Sequence, residues 1–402
     1  MTIFREYLKT SHLWQLLVFN TTEVYIVAHS LVPGSRHYEK GLKELFAEAF
    51  LKVLDQVGNA NLGAIYVANA FSEVLQDQSV LGAYLMDYVG LRRIPAIRIE
   101  SGDGSSGIAV LEAYNMVKAG IYDCVAVVGV EKMHDVINVK LNKALSTITD
   151  YEYEGFFGVT PAAQAAMAMK EYMIKYGYDY EDLAIWPIKM HERGSKNPLA
   201  YMKKQATLKD VLESEVVADP LRLYDVAPAV DGSAAVVLCN KPLKSDAVIR
   251  IDGIGVGAYG TYTGQRDSLT ELYSVRDAAN MALRMAHVSI SDVSLAEVHD
   301  TYSILGMLAL ESTGLVRPGE TPRLLSAGTL DVGNKLVINA SGGLKSMGFP
   351  GGASGMYELA LMVMELMNVK PFESLGRAEL GIVQDMAGFD LVSTSIVLRR
   401  VG

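Results

Sequence analysis

The chain has 402 residues, of which 50% are hydrophobic and 20% charged, and its formal net charge is −10. This length predicts two domains of roughly 200 residues each, with enough apolar residues for a large core. The negative charge argues against general binding to nucleic acid, because no basic field is available to hold phosphates. No uncharged apolar run approaches the roughly 20 residues that a membrane-spanning helix needs.

Residues 1–21 are predicted to form an N-terminal extension that precedes the first strand, Glu23–Ala28. Their short apolar core is interrupted by Gln15 and lacks the cleavage site of a signal peptide. An upstream start codon is an alternative origin of this segment, so its place in the native protein stays open.

The chain contains two cysteines, Cys124 and Cys239, and both lie in apolar strand-like runs. Two cysteines cannot build a disulfide framework, so we expect each of them to be a buried structural thiol. Free thiols predict a reducing compartment, and we therefore expect a cytoplasmic location.

Helical and strand-like patterns alternate along the first half of the chain. An amphipathic helix is predicted over Gly41–Val57 and an apolar strand over Leu62–Ala68. A further helix is predicted over Asp77–Tyr88 and a strand over Ile97–Ile99. Continuous apolar strands between helices indicate an α/β fold, in which a mostly parallel sheet is covered on both faces.

Two glycine-rich loops share one design, because each follows a strand and opens onto a helix. The first is Glu100–Gly107 (ESGDGSSG), ahead of a predicted helix Ile108–Ala119, and the second is Asn339–Gly355 (NASGGLKSMGFPGGASG), ahead of Met356–Met367. Such a loop can offer unpaired backbone N–H groups to a ligand, although glycines also mark plain tight turns. The repeat predicts a duplicated chain with a site at the junction of its halves.

The regular pattern breaks between about 131 and 222, where we predict a loop domain within the first half. It contains a predicted helix Pro161–Tyr176 and the stretch Lys189–Asp210, which has six Lys or Arg residues against two acids. This basic stretch fits either a solvated helix face or a site for a polyphosphate ligand. The predicted divisions are 22–245 for the first half, loop domain included, and 246–402 for the second.

Several motifs occur in an order that resembles the thiolase superfamily, in particular the sterol-carrier-protein-type thiolases and the archaeal acetyl-CoA acetyltransferases. They are GVEKM at Gly129–Met133, ADPLRLYDVAPAVDGSAA at Ala218–Ala235, EVHDTYS around His299, and the second glycine-rich loop. The resemblance covers about residues 22–400. It implies a five-layer αβαβα fold built from two duplicated βαβαβαββ halves, a homodimer or tetramer, and a coenzyme A thioester as substrate, with no permanently bound cofactor and no metal.

The resemblance also implies a cysteine nucleophile on the first glycine-rich loop, a Gly-His-Pro histidine on the second, and an oxyanion-hole histidine in the His-Asp motif. In this sequence Asp103 stands at the cysteine position and Phe349 at the Gly-His-Pro histidine, whereas His299 is retained. A carboxylate is a poor acyl carrier and phenylalanine moves no proton, so ordinary thiolysis is not expected. Asp103 and His299 are therefore the predicted catalytic residues.

The predicted substrate-binding residues come from the second glycine-rich loop and from the basic stretch. They are Gly343, Lys345, Phe349, Gly351 and Ser354 in the loop, and Arg193 and Lys196 in the basic stretch. For the lysines and the arginine, the alternative is a set of surface charges.

Three hypotheses about function follow. In the first, the protein carries out a retro-aldol reaction on an acyl-CoA, with Asp103 as base and His299 polarising the thioester carbonyl. Thiolase-like aldolases that work with an OB-fold, zinc-ribbon partner provide the analogy. In the second, the protein is a non-catalytic scaffold subunit of a thiolase or HMG-CoA synthase complex. In the third, Ser105, Ser106 or Tyr302 transfers an acyl group. A separate, structural alternative makes Asp103 an ordinary helix cap.

Overall fold

The computed structural model describes residues 22–58, 60–243 and 248–402, and the predicted extension 1–21 lies outside them. The strands are β1 Tyr25–Ser35, β2 Leu62–Ala68, β3 Ala96–Ile99, β4 Cys124–Glu131, β5 Val216–Ala218, β6 Leu221–Arg222, β7 Asp231–Cys239, β8 Val248–Ala258, β9 Leu295–Val298, β10 Val337–Ile338, β11 Leu380–Ala387 and β12 Val392–Val401. The helices are α1 Leu42–Val57, α2 Ser72–Leu75, α3 Leu81–Tyr88, α4 Ser105–Lys118, α5 Asn138–Ser146, α6 Pro161–Tyr176, α7 Tyr180–Leu183, α8 Ile185–Lys196, α9 Leu208–Leu212, α10 Tyr273–Ala286, α11 Ser303–Ser312, α12 Thr321–Ser326, α13 Gly343–Met347 and α14 Ser354–Leu366.

The large sheet has 10 strands in the order β10-β9-β11-β12-β8-β1-β7-β4-β2-β3. In the first half, β1, β7 and β4 pair antiparallel, whereas β4, β2 and β3 pair parallel. In the second half, β8, β12, β11, β9 and β10 repeat this order and these directions. The halves meet at β1 and β8, where Tyr25 lies opposite Arg250. The repeated topology confirms the predicted duplication.

Helices occupy three layers around the two half-sheets. Helices α4 and α14 lie between them, because α4 contacts β4 and also β11 and β12, and α14 contacts β11 and also β7 and β1. Helix α1 packs on β1 and β7 of the first half, and α10 packs on β8 and β12 of the second. The sequence of layers is therefore helix, sheet, helix, sheet, helix, as the αβαβα expectation requires.

The positions of these helices explain their sequence patterns. Helix α1 covers an outer face and buries one stripe that includes Leu45, Ala49 and Val53. Helix α14 lies in the middle layer, and nearly all of its residues are buried. A helix with apolar neighbours on every side needs no polar face, so the second glycine-rich loop leads into a segment that is mostly apolar apart from Glu358 and Glu365.

Helix α3 and strand β1 depart most from their predicted bounds, and other elements differ by a few residues at their ends. Helix α3 begins at Leu81 and not at Asp77, because Asp77 and Val80 have φ angles of 54° and 52°, which a right-handed helix cannot contain. Strand β1 continues past Ala28 to Ser35, since it pairs with β7 along this length.

The stretch predicted as a loop domain, about 131–222, contains α5 to α9 and the strands β5 and β6. These two strands pair with each other in a separate sheet. The predicted division between 245 and 246 falls among residues that the structure does not describe, so this boundary stays a prediction.

The prediction of two free cysteines is wrong. Cys124 and Cys239 lie directly opposite each other on the antiparallel strands β4 and β7 and are joined by a disulfide bond. They are 115 residues apart in sequence, and strand register alone brings them together. The cytoplasmic location thereby loses its support from free thiols and stays a prediction. Within the described ranges, no helix combines the length and the apolar character needed to cross a membrane.

Candidate active site

A cavity of about 170 Å³ lies where the two halves meet the segment 141–161. Most of its wall is apolar, with side chains that include Leu141, Leu145, Ile148, Leu305, Phe349 and Phe389. Its polar side chains are Asp103, Asn142, Thr301 and Tyr302. Among the residues that form this wall, Asp103 alone carries a formal charge. An apolar cavity with a few polar groups is typical of a small-molecule site.

Asp103 lies in the first glycine-rich loop and faces the second half of the chain. Its Oδ1 accepts a hydrogen bond of 2.6 Å from the backbone N–H of Gly388, just after β11. The alternative that Asp103 caps helix α4 is wrong, because Gly104 occupies the cap position and has no side chain. The other carboxylate oxygen, Oδ2, lies 3.8 Å from Nε2 of His299. The carboxylate thus joins the two halves at the cavity wall.

His299 follows β9 and is fully buried. Its Nε2 lies 2.5 Å from the hydroxyl of Thr301, and its Nδ1 lies 3.3 Å from carboxylate oxygens of both Glu358 and Asp385. Burial alone would lower the pKa of His299, but Asp103, Asp385 and Glu358 raise this pKa well above its usual value. The surrounding carboxyl groups therefore favour the protonated ring. The ring of His299 does not line the cavity itself, but it lies next to Asp103 and Thr301, and both of these residues line the cavity.

Two buried carboxyl groups stand behind His299. Asp385 accepts backbone hydrogen bonds of 2.8 Å from Gly107 and 3.0 Å from Met386, so it also anchors the start of α4. Neither oxygen of Glu358 has a hydrogen-bond partner among the described residues, and burial raises the pKa of Glu358 to about 8. The spacing of His299, Glu358 and Asp385 would also suit a small metal ion. The expected absence of a metal stays a prediction.

Carboxylates of the protein bind several N–H groups of the glycine-rich loops. In the second loop, Gly352 donates a hydrogen bond of 3.0 Å to Glu131, a residue of the first half. In the first loop, Gly102 donates one of 2.6 Å to Glu100. These side chains hold positions that a ligand anion would take. The expectation that the loops offer unpaired N–H groups to a ligand is wrong at these positions.

Among the predicted substrate-binding residues, Phe349 lines the cavity. The hydroxyl of Ser354 donates a 2.6 Å hydrogen bond to the carbonyl of Gly351, within the loop itself. Gly343 has a φ of +62°, and a β carbon there would lie 2.4 Å from a carboxylate oxygen of Asp300. Gly343, Gly351 and Ser354 therefore shape the loop and do not contribute to the cavity wall.

The three predicted cations lie away from the cavity wall. Lys345 is buried, donates to a backbone carbonyl at 2.7 Å, and has its pKa lowered to about 8 by burial, so it is no surface charge. Arg193 is also buried and pairs with Asp331 at 2.8 Å. Lys196 is exposed and pairs with Glu192 at 2.9 Å. Arg193 and Lys196 line a separate cavity of about 80 Å³.

The serines of the first glycine-rich loop are engaged with the main chain. Ser105 donates to the carbonyl of Gly102, and Ser106 donates to the carbonyl of Gly352 at 2.7 Å. Tyr302 lines the cavity, but burial raises the pKa of its hydroxyl above the usual value, which makes ionisation harder. The geometry therefore gives the acyl-transfer hypothesis little support.

Sequence reasoning missed Thr301, Glu358 and Asp385 as site residues. Thr301 lies in the EVHDTYS motif, beside the predicted His299, and Asp385 lies in the last strand before the Gly388 turn. Glu358 left a clearer signal, because it is one of two acids, with Glu365, inside an otherwise mostly apolar helix. A buried carboxyl group needs a partner, so its presence there points to a nearby base.

Comparisons with known proteins agree along the whole described chain. The model "Thiolase, N-terminal domain" matches residues 24–242, and the model "Thiolase C-terminal domain-like" matches residues 255–400. An acetyl-CoA acetyltransferase of Methanothermobacter thermautotrophicus is 32% identical, covering 91% of this chain and 96% of the relative. The benzoylsuccinyl-CoA thiolase subunit BbsB of Thauera aromatica is 30% identical, covering 76% of this chain and 78% of the relative.

Solved structures share the fold. The Ltp2-ChsH2(DUF35) aldolase superposes with a TM-score of 0.81 at 20% identity, covering 94% of this chain and 98% of that chain. An acetyl-CoA acetyltransferase from Syntrophomonas wolfei superposes with a TM-score of 0.68 at 16% identity, covering 94% and 100%. At these identities the likeness shows the fold alone.

Proposed function

Because the chain belongs to the thiolase family, we propose that it binds coenzyme A thioesters and cleaves or forms a carbon–carbon bond near the thioester carbonyl. The observation that carries the proposal is the position of Asp103, the one formally charged residue on the wall of an otherwise uncharged cavity. A carboxylate on the wall of an apolar cavity faces a bound substrate directly and can serve as a general base. The names of the relatives, an acetyl-CoA acetyltransferase and a benzoylsuccinyl-CoA thiolase subunit, support an acyl-CoA substrate.

We expect no covalent transfer through cysteine. The chain has 2 cysteines, and the disulfide between Cys124 and Cys239 leaves neither as a thiolate. A carboxylate nucleophile at Asp103 would form an anhydride, which is more reactive than the thioester it came from. These facts favour an aldol-type reaction without an acyl-enzyme, in keeping with the word aldolase in the name of one structural neighbour.

In the cleavage direction, Asp103 accepts the proton of a β-hydroxyl group on the acyl chain. The oxygen electron pair forms a carbonyl, the Cα–Cβ bond breaks, and its electrons form the enolate of the shortened acyl-CoA. The proton then passes from Asp103 to Cα, which regenerates the carboxylate. The products are a carbonyl compound and an acyl-CoA.

Thr301 is the group that we propose to stabilise the enolate. Nε2 of His299 lies 2.5 Å from the Thr301 oxygen, and a proton on this nitrogen would be donated to that oxygen. The hydroxyl proton of Thr301 is then free to donate into the cavity, where a fixed donor stabilises a developing oxyanion. This proposal revises the predicted role of His299, which acts through Thr301 and does not contact the thioester carbonyl.

The proposal includes protein partners. The name of one structural neighbour pairs an aldolase with a DUF35 protein, which supports the predicted OB-fold, zinc-ribbon partner for this chain. A homodimer or tetramer is also part of the proposal. Strand β3 is the edge of the sheet, and its Ile97 is 52% exposed, so a second copy has an unpaired strand available.

The test is an assay of the purified chain, with and without a DUF35-type partner, on 3-hydroxyacyl-CoA thioesters that carry apolar β-substituents. Mass spectrometry is expected to find a shorter acyl-CoA and an equimolar carbonyl compound. Asp103→Asn is expected to lower kcat by about 100-fold or more, because it removes the base. Glu100→Gln changes an exposed carboxylate of the same loop and serves as the control.

Two results would count against the proposal. Thiolysis of acetoacetyl-CoA by free coenzyme A, unaffected by Asp103→Asn, would show that chemistry proceeds without the proposed base. Calorimetry that detects no coenzyme A binding, with or without the partner, would favour the scaffold-subunit hypothesis.

A further inference from the structure

We infer that the cavity beside Asp103 selects acyl chains whose hydroxyl-bearing β carbon also carries one six-membered ring, or an apolar group of equal size. Ala229 and Leu145 set this limit. The inference names the substrate class of the proposed function, and for turnover it rests on that function. The size of the group that the cavity accepts can be measured without turnover.

Polar and apolar parts of the cavity wall are separated. Asp103 and Thr301 approach the same nitrogen of His299, with contacts of 3.8 Å and 2.5 Å, so they lie together on the wall. A β-hydroxyl group that meets Asp103 therefore leaves the second substituent of its carbon against apolar side chains, where burial is favourable. These side chains are Leu141, Leu145, Ile148, Leu305, Phe349 and Phe389.

The apolar part of the wall comes from two separate hydrophobic clusters. Leu145, Ile148 and Phe349 belong to a cluster packed against α5. Leu305 and Phe389 belong to the large cluster around α11 in the second half. The cavity is the space between these two clusters, and a ligand group that fills it contacts both.

The volume of the cavity limits the size of this group. An apolar cavity of about 150 Å³, engineered into another protein, binds one benzene molecule. The cavity of this protein measures about 170 Å³. It therefore has room for one ring and the adjoining carbon, whereas two fused rings would have to displace the wall.

Two alanines keep this space open, and the main chain holds them in place. Ala227 and Ala229 belong to one short segment of the wall. The N–H of Ala227 donates to the carbonyl of Thr301 at 2.8 Å, and the N–H of Val230 donates to the carbonyl of Phe349 at 3.0 Å. Because these hydrogen bonds fix the backbone of the segment, its small side chains determine how far a ring can extend.

The test measures the binding of two uncharged alcohols, benzyl alcohol and 2-naphthalenemethanol, to the full chain. NMR of labelled isoleucine methyl groups follows the resonance of Ile148, which lines the cavity and is assigned by its absence in Ile148→Val. We expect benzyl alcohol to bind with a Kd of about 1 mM or lower. The two-ring alcohol should bind at least about tenfold more weakly, because it overfills the cavity.

Two substitutions should change this selectivity in opposite directions. Ala229→Leu fills part of the cavity and should weaken benzyl alcohol binding by at least about tenfold. Leu145→Ala enlarges the cavity and should strengthen 2-naphthalenemethanol binding by at least about tenfold. A misfolded variant could not produce this gain in affinity.

Leu324→Ala is the matched control for Leu145→Ala. Leu324 is also a half-buried leucine in a helix, but it does not line the cavity. It should leave both affinities unchanged. Circular dichroism establishes that each variant is folded.

Turnover provides a second readout. Cleavage of 3-hydroxy-3-phenylpropanoyl-CoA to benzaldehyde and acetyl-CoA should have a kcat/KM at least about tenfold above that of the 2-naphthyl analogue. If neither thioester is cleaved while the alcohols bind in the expected order, the proposed function fails and the size selection stands.

Three results would overturn the inference. They are equal affinities of the wild-type protein for the two alcohols, no response of the Ile148 resonance to benzyl alcohol, and displacement of benzyl alcohol by saturating free coenzyme A. The last result would show that the pantetheine arm, and not the β-substituent, occupies the cavity.

Discussion

Buried charge pairs join segments of the chain that lie far apart in sequence. Lys132, just after β4, pairs with Asp231 on β7 at 2.7 Å, and both side chains are buried. Burial alone would raise the pKa of Asp231, but hydrogen bonds from His134, Lys132 and Met133 lower it well below its usual value. The carboxylate thereby anchors the start of the loop domain to the sheet.

We expect Asp231→Asn to destabilise the protein by up to about 3–5 kcal/mol, because it removes the buried partner of Lys132 and leaves the buried ammonium group with the half-exposed Asp135, 2.8 Å away. Urea unfolding at pH 7 measures the change. Asp87→Asn is the control, since the side chains of Asp87 and Arg92 are 71% and 80% exposed. That variant should lose less than about 1 kcal/mol. Equal losses of unfolding free energy in the two variants would show that the buried pair stabilises the protein no more than the exposed pair does.

Helix α10 lies directly against the backbone of strand β8. Three glycines on one face of the strand make this approach possible, and a β carbon on any of them would come 2.1 Å from a helix carbonyl oxygen. The pairs of glycine and carbonyl residue are Gly253 with Ala282, Gly255 with Ala278, and Gly257 with Ser274. Side chains on one face of a strand recur every two residues, and those on one face of a helix about every four residues. Each step of two residues along β8 is therefore matched by a step of four residues along α10.

Gly255→Ala is expected to destabilise the protein by about 1–3 kcal/mol, because the new methyl group pushes α10 away from the sheet. Gly260→Ala is the matched control, since a β carbon at Gly260 would meet no atom within 4 Å. The control should change the free energy of unfolding by less than about 0.5 kcal/mol. Thermal and urea unfolding measure both. A tolerated Gly255→Ala would mean that the helix can shift at little cost.

Several buried acids make the stability of the whole molecule depend on pH. Burial raises the pKa of Glu131 and of Asp300 to about 7, and that of Glu358 to about 8. In the unfolded chain these groups ionise near pH 4. The folded state therefore binds more protons, and the stability from these groups, complete below the unfolded pKa, is lost as the pH rises through the folded values.

We expect the free energy of unfolding to fall between about pH 4.5 and pH 8, by up to about 1.4 kcal/mol per pH unit for each group, because the unfolded chain releases these protons near pH 4 and the folded state only at about 7 to 8. Urea titrations at several pH values in this interval measure the slope. Glu358→Gln should make the slope shallower, because it removes one of the acids. A stability that is constant or rises with pH would contradict the assigned pKa shifts.

Much of the fold could be read from local patterns. The helix Pro161–Tyr176 and the strand Leu62–Ala68 have their predicted bounds, because apolar periodicity and flanking breakers act within a few residues. The two glycine-rich loops pointed to a duplication and to a site at the junction of the halves. Asp103 and Phe349, which line the cavity, were identified as candidate site residues because the order and spacing of the family motifs assign each residue its place in the motif.

Long-range contacts explain what was missed or wrong. The disulfide of Cys124 and Cys239 depends on the register of two strands, and the N–H groups of Gly107 and Gly352 are bound by acids from other elements. The burial of Lys345 and the approach of Glu358 to His299 also depend on contacts between segments that are distant in sequence. Composition and periodicity report how each segment folds and which family it resembles. Which buried charges meet depends on how the layers pack, since Coulomb and hydrogen-bond energies depend on distances that local sequence does not encode.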